Sequence, residues 1–148
     1  GTGKSYTAAC IANALLDKGI SVVMTSFVKI LQEIQSGSMD EGSYIKRLDN
    51  ARLLIIDDLG AERNTDYALE KVYNVVDSRV RSNKPMILTT NLTLDYMKDP
   101  QDIRYTRIYD RIFETCYPLQ MTGRSFRLDE GNKRFIRMRG LLEEDDNG

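Results

Sequence analysis

The sequence predicts an α/β fold organised on a mostly parallel sheet, and three observations predict it. Helical and extended segments alternate from end to end, as they do when helices cross over between parallel strands. The run Ile20-Ser21-Val22-Val23-Met24-Thr25 is β-branched and almost continuously apolar, which suits a strand covered on both faces. The opening Gly1-Thr2-Gly3-Lys4-Ser5 stands directly before a helix, where such folds carry a glycine-rich turn.

Element by element, residues 4–18 place Ala8, Ile11, Ala12, Leu15 and Leu16 at helical spacing, and Gly19 ends the segment. The strand 20–25 follows, and then Ser26 is available to cap a helix over 27–35. Residues 36–43 are polar and predict a loop, with a short helix over 44–48. Leu53-Leu54-Ile55-Ile56 predicts the most deeply buried strand, ending in Asp57-Asp58. Leu69, Val72, Val76 and Val80 form the stripe of a helix over 66–80, and residues 85–90 predict the next strand. A helix carrying three arginines is expected over 102–113, a short last strand over 118–121, and an amphipathic helix over 125–142 that Gly131 and Gly140 weaken. Without repeats, low-complexity stretches or a linker, 1–148 reads as a single domain, its residues from about 125 onward forming a helical extension and an acidic tail.

Composition narrows the chemistry. Acidic and basic residues nearly cancel to a formal net charge of −1, so the chain as a whole is not marked for nucleic acid. Locally, Lys133, Arg134, Arg137 and Arg139 are basic and Glu143 to Asp146 acidic; a solvated helix face and a phosphate-backbone contact both remain open for the basic stretch. Histidine is absent, which removes Ser-His-Asp and Cys-His catalysis and any histidine-ligated zinc. Cys10 and Cys116 match no metal spacing and lie in apolar periodic segments, so buried free thiols in a reducing compartment are expected. With no run long enough for a membrane helix and no signal peptide, the expectation is a cytoplasmic protein with no membrane partner.

The opening turn is the second half of G-x-x-x-x-G-K-[ST]. Amides around Gly3 and Lys4 can face a triphosphate only where no side chain blocks the approach. Lys4 then reaches the β- and γ-phosphates, Ser5 ligates Mg²⁺, and the helix start adds its positive end. Gly1, Thr2, Gly3, Lys4, Ser5 and Tyr6 are therefore the candidate ATP-binding residues. The first glycine of the motif and the strand that should precede it are missing, so a piece of a larger protein is expected, binding nucleotide weakly or not at all.

Leu53 to Gly60 (LLIIDDLG) is an apolar strand delivering two carboxylates to the sheet's carboxyl edge, where ligands of such folds bind. Asp57 is placed for the Mg²⁺ assigned to Ser5, and Asp58 to orient or deprotonate a water; an Asp-Asp pair capping a turn is the plainer alternative. Between Lys4 and Asp57 there is room for a helix, a strand and further helices, which suits ATPases better than compact nucleotide kinases. Thr89-Thr90-Asn91 closes the next strand, where the Asn91 amide either holds the water or starts a turn. Arg107 and Arg111, four residues apart, share a helix face with Asp110 and Glu114 within pairing range. Local ion pairs and an arginine finger into a neighbouring subunit both fit them, and Arg127 could contact the nucleotide from its own subunit.

With GTGKS, LLIIDDLGAE, LTTN, RIYDRIFE and TGRSFR in this order, the chain resembles the AAA+ replicative-helicase loaders of the DnaC/DnaI type and is similar to the IstB-type transposition ATPases. The resemblance runs from Gly1 to about Arg127 and rests on the combination of DDLGAE, TTN and R-x-x-x-R, since the first motif alone is widespread. It implies a three-layer P-loop NTPase fold with its first strand missing and a reduced lid. It also implies Lys4 and Ser5 in Walker A, Asp57 and Asp58 in Walker B, Asn91 as sensor 1 and Arg127 as sensor 2. Of Arg107 and Arg111, the latter is the better finger candidate. Such loaders bind single-stranded DNA, self-associate through the arginine-finger face, and grip the replicative helicase through an N-terminal region absent here.

The resulting expectation is an ATP-hydrolysing loader core that uses ATP and Mg²⁺. An IstB-like transposase helper is the alternative within the fold, and a nucleotide-gated assembly module with little hydrolysis the alternative outside enzymes. A nucleotide kinase fits least, because TTN and the paired arginines have no ready role there.

Overall fold

A computed structural model describes residues 2–122 and 133–137. The chain falls into two units, Ser5–Leu119, and Gly1–Lys4 with Gln120–Gly148. Helix α1 (Lys4–Leu16), which belongs to the larger unit from Ser5 onward, leads into β1 (Val22–Ser26), α2 (Phe27–Ser36), α3 (Glu41–Asn50) and β2 (Leu53–Leu59). Then come α4 (Asp66–Arg81), β3 (Met86–Thr90), α5 (Leu94–Lys98), a 3₁₀ turn (Ile103–Tyr105) and α6 (Thr106–Thr115). The three strands are parallel in the order β1-β2-β3, so the expected α/β class and parallel sheet are present.

Alternation along β2 explains the layers. Leu54 and Ile56 point into a large core with α2, α3, α4 and α6, while Leu53 and Ile55 meet Ala8 and Ala12 of α1 on the other face. Leu54, Ile55 and Ile56 are fully buried, each contributing about 1.5–3 kcal/mol of apolar burial. The small alanines let α1 lie close to the sheet. Helix starts follow the expected side-chain chemistry: Ser26 Oγ accepts from the Lys29 amide, and the Thr65 hydroxyl accepts from that of Ala68.

Several expectations needed correction. β1 is an end strand of the sheet, half-buried rather than covered on both faces, with Met24 exposed. Asp40 accepts from the Ser43 amide and so starts α3 three residues before the predicted helix, shortening the loop. The arginine segment is not one helix: the Asp102 carboxylate takes the Arg104 amide, a local bond that favours a tight turn, and α6 begins only at Thr106. Residues 118–121 are not a strand. Cys10, two positions from both Ala8 and Ala12, lies on the opposite side of α1 and is exposed, whereas Cys116 is half-buried. Of the predicted helix 125–142, residues 133–137 are helical and the rest lie outside the described residues.

One buried cation holds the amino-terminal end of the sheet. Arg79 has no exposed surface and donates to the carbonyls of Asp49, Ala51, Arg52 and Pro85, the residues that lead into β2 and β3. Burial pushes its guanidinium pKa down, and the Asp49 carboxylate opposes that shift.

Candidate functional site

The other end of β2 departs from regular pairing. Ile56 is level with Leu88 and Leu59 with Thr90, so two residues, Asp57 and Asp58, face the single Thr89. This is a β-bulge, which leaves an extra amide without a ladder partner and re-aims the side chains beside it. The Thr89 hydroxyl repairs the gap. It accepts the Asp58 amide at 2.9 Å and donates to Asp57 Oδ1. Asp58 is thereby held with φ of 62°, a left-handed conformation that costs a non-glycine residue about 1 kcal/mol.

Asn91, one residue past β3, donates from Nδ2 to Asp58 Oδ1 at 3.1 Å. Thr90 Oγ1 donates to the Leu59 carbonyl and accepts the Leu92 amide, tying the two strand ends together. Asp57, Asp58 and Asn91, singled out separately in the sequence, therefore meet at one edge.

Beneath them lies Glu62, which the sequence reading quoted in DDLGAE and gave no role. It is 7% exposed; Oε2 accepts the Gly60 amide at 2.9 Å, and Oε1 has no hydrogen-bond partner. Burial, more than any neighbour, pushes its pKa up, and the nearby Asp58 adds to the shift. An unpaired buried oxygen of this kind costs about 1–3 kcal/mol. Thr89 and Glu62 were missed because their signal is three-dimensional: Thr89 acts across the bulge on Asp57 and Asp58, and Glu62 through the turn that brings it onto the Gly60 amide.

The donors at this edge are hard oxygens, the ligand type that Mg²⁺ takes. Among the described residues neither Asp57 nor Asp58 takes part in an ion pair, and no cluster of three or more carboxylates or cysteines is placed to hold a metal. Sparse hard-oxygen ligation suits a cation that keeps waters and phosphate oxygens in its shell.

At the opening turn Gly3 has φ of 89°, and the Lys4 ammonium donates to Thr2 Oγ1 at 3.3 Å. Ser5 lies in the first turn of α1, followed by Tyr6, whose side chain is exposed. Gly1 and Arg127 lie outside the described residues.

The paired arginines of α6 turn toward α4. Arg107 lies 5.2 Å over the Tyr73 ring, and Arg111 pairs with Asp77 at 3.0 Å and Glu114 at 2.7 Å. Asp110, expected as a partner, takes no part in those pairs. Arg104, on its 3₁₀ turn, instead joins Asn64, Asp66 and Asp102. Among the described residues no helix is long and apolar enough to cross a membrane.

A parallel sheet with helices on both faces, a glycine-lysine-serine turn heading a helix, and paired acids at the strand ends define a P-loop ATPase fold of the AAA+ kind. The solved crystal structure of DnaI matches it with a TM-score of 0.69 at 27% identity, over 84% of this chain and 66% of that one. The chain belongs to the family described as IstB-like ATP binding protein, which it matches over residues 1–134. The replicative helicase loader DnaC of Escherichia coli K12 is 32% identical over 102 residues, 66% of this chain and 41% of the loader. A putative ATP-binding protein in an insertion sequence of Mycobacterium tuberculosis, Rv3427c, is 26% identical over 131 residues, 86% of this chain and 52% of that protein. The chain thus spans about half the length of the curated relatives it matches.

Proposed function

We propose that this chain is the ATP-binding and ATP-hydrolysing core of a DNA-replication helicase loader, a single ATPase domain over residues 1–148 that acts on single-stranded DNA and the replicative helicase. The observation that carries the reading is the bulged turn, in which the Asn91 amide is hydrogen-bonded to an Asp58 carboxylate that no cation neutralises among the described residues. In this reading Gly1, Thr2, Gly3, Lys4, Ser5 and Tyr6 cradle the nucleotide, with Lys4 on the β- and γ-phosphates and Arg127 touching it from the same subunit. Ser5 and Asp57 hold Mg²⁺, which when bound neutralises charge on the phosphate oxygens. Asp58 accepts the proton of the attacking water and Asn91 orients that water, so that ADP and phosphate are the products. Arg111, and less directly Arg107, serve a neighbouring copy, and self-association runs through that face. Contact with the helicase runs through a region outside these residues.

Steady-state ATP turnover by the full-length protein, with and without single-stranded DNA, tests the reading. DNA-responsive turnover that Asp58→Asn removes is expected; unchanged turnover in that variant would overturn the catalytic assignment. A second reading, a helper ATPase for a transposase, is favoured by the family description and by the insertion-sequence relative. Pull-down of the helicase against pull-down of a transposase separates the two.

A further inference from the structure

The segment between the acids and α4 is a turn gripped from two sides. Asp58 and Gly60 both have left-handed backbones, with φ of 62° and 94°, and the Ala61 amide closes the turn on the Asp58 carbonyl at 3.2 Å. On one side lies the Leu92 side chain, which a Cβ at Gly60 would meet at 3.0 Å. On the other, Glu62 Oε2 takes the Gly60 amide. Leu92 directly follows Asn91, whose side-chain amide bonds Asp58. Among the described residues only Glu62, Arg79 and Thr89 are buried polar side chains, and two of these three brace this one turn.

We propose that Glu62 is a positioning residue for Asp58: seated on the Gly60 amide, its carboxyl holds closed the turn that presents the Asp58 carboxylate to Asn91. Asp58 is a non-glycine residue in a left-handed conformation, which is unfavourable for an open chain, so the turn needs an internal acceptor to persist. Glu62 is itself buried, so its surroundings fix its carboxyl on the Gly60 amide. The acceptor oxygen, rather than the charge, is what acts, so glutamine serves in its place.

The kinetic arm of the test rests on the ATPase reading above; the spectroscopic arm does not. In the full-length protein, Glu62→Ala is expected to lower kcat roughly ten- to a hundredfold, with KM within about twofold of the parent. The same variant shifts the Asn91 side-chain amide signals in a ¹⁵N spectrum, whereas Glu62→Gln keeps both rate and signals near the parent. Should Glu62→Ala not fold, Glu62→Leu makes the same comparison with the volume kept and the acceptor removed. Parent-like turnover together with unmoved Asn91 signals in the alanine or leucine variant overturns the proposal. So does an equal loss in the alanine and glutamine variants with KM rising in step, which marks a merely structural role. If the parent itself shows no turnover, the ATPase reading fails, and the Asn91 signals alone decide the positioning role.

Discussion

The two ends of the same sheet are finished in opposite ways. At the amino-terminal end, a fully buried Arg79 satisfies four backbone carbonyls around the entries to β2 and β3, with the nearest Asp49 carboxylate oxygen 3.9 Å away. At the carboxyl end the register slips, a non-glycine residue adopts a left-handed backbone, and the carboxylates of Asp57 and Asp58 have no cation among the described residues. One end spends its buried charge on closing hydrogen bonds; the other leaves acceptors unmatched. Strain and unmet hydrogen-bonding capacity survive in a fold only where the surroundings enforce them, and such places are where ligands of parallel sheets bind. The contrast teaches that satisfied and unsatisfied polar groups are segregated along the strand direction.

The largest expected effect breaks the closed end. Arg79→Ala removes the one side chain that, among the described residues, donates to all four carbonyls, and it opens a cavity, so it lowers stability by about 3–5 kcal/mol, read from chemical denaturation. ATP turnover per folded molecule stays near the parent value if the two ends are separate, and falls in step with stability if they are not. Asp58→Asn tests the open end. It keeps the shape and the Asn91 contact within reach, leaves the melting midpoint nearly unchanged, and lowers turnover about 100-fold or more.

The sequence carried most of the fold, because periodicity reports one-dimensional burial. The alternation of helices and strands, the deep burial of Leu53 to Ile56, the Ser26 cap and the carboxylates at the strand end were all readable. Where the reading failed, a neighbour in space decided. β1 looked doubly covered because ISVVMT is apolar, yet its edge position exposes Met24. Cys10 shares its segment's apolar pattern but points away from the sheet. Arg79 could have been found: it falls three residues after Val76 and seven after Val72, on the buried stripe of α4, where an arginine demands a partner. Thr89 and Glu62 offered no such periodic signal. Their roles come from a one-residue bulge, and no spacing rule announces a bulge.

A smaller effect separates the two braces of the acidic turn. Thr89→Val keeps the shape and removes the hydroxyl that takes the Asp58 amide and donates to Asp57. Leaving that amide without its partner costs about 1–2 kcal/mol in denaturant unfolding, and Thr89→Ser recovers most of it. If valine is neutral, the bulge is set by the turn beyond it, and the weight of the comparison moves to Glu62.

The smallest effect concerns the second arginine of the molecule worth setting beside Arg79. Arg111 is 32% exposed where Arg79 is 0%, and its partner Asp77 is shared with Arg81, whose Nε lies 2.9 Å from Asp77 Oδ2. Removing Arg111 therefore leaves Asp77 paired with Arg81 through Oδ2, while its buried Oδ1 loses the contact with Arg111. Arg111→Ala is expected to move the melting midpoint by less than roughly 2 °C, because the guanidinium is partly solvated and Asp77 keeps a cation in Arg81. A shift as large as that of Arg79→Ala would make Arg111 a second structural clamp tied to α4. A small shift means its guanidinium can leave Asp77 and Glu114 at little cost, as a cation must if it is to be offered to a neighbouring copy's acidic edge.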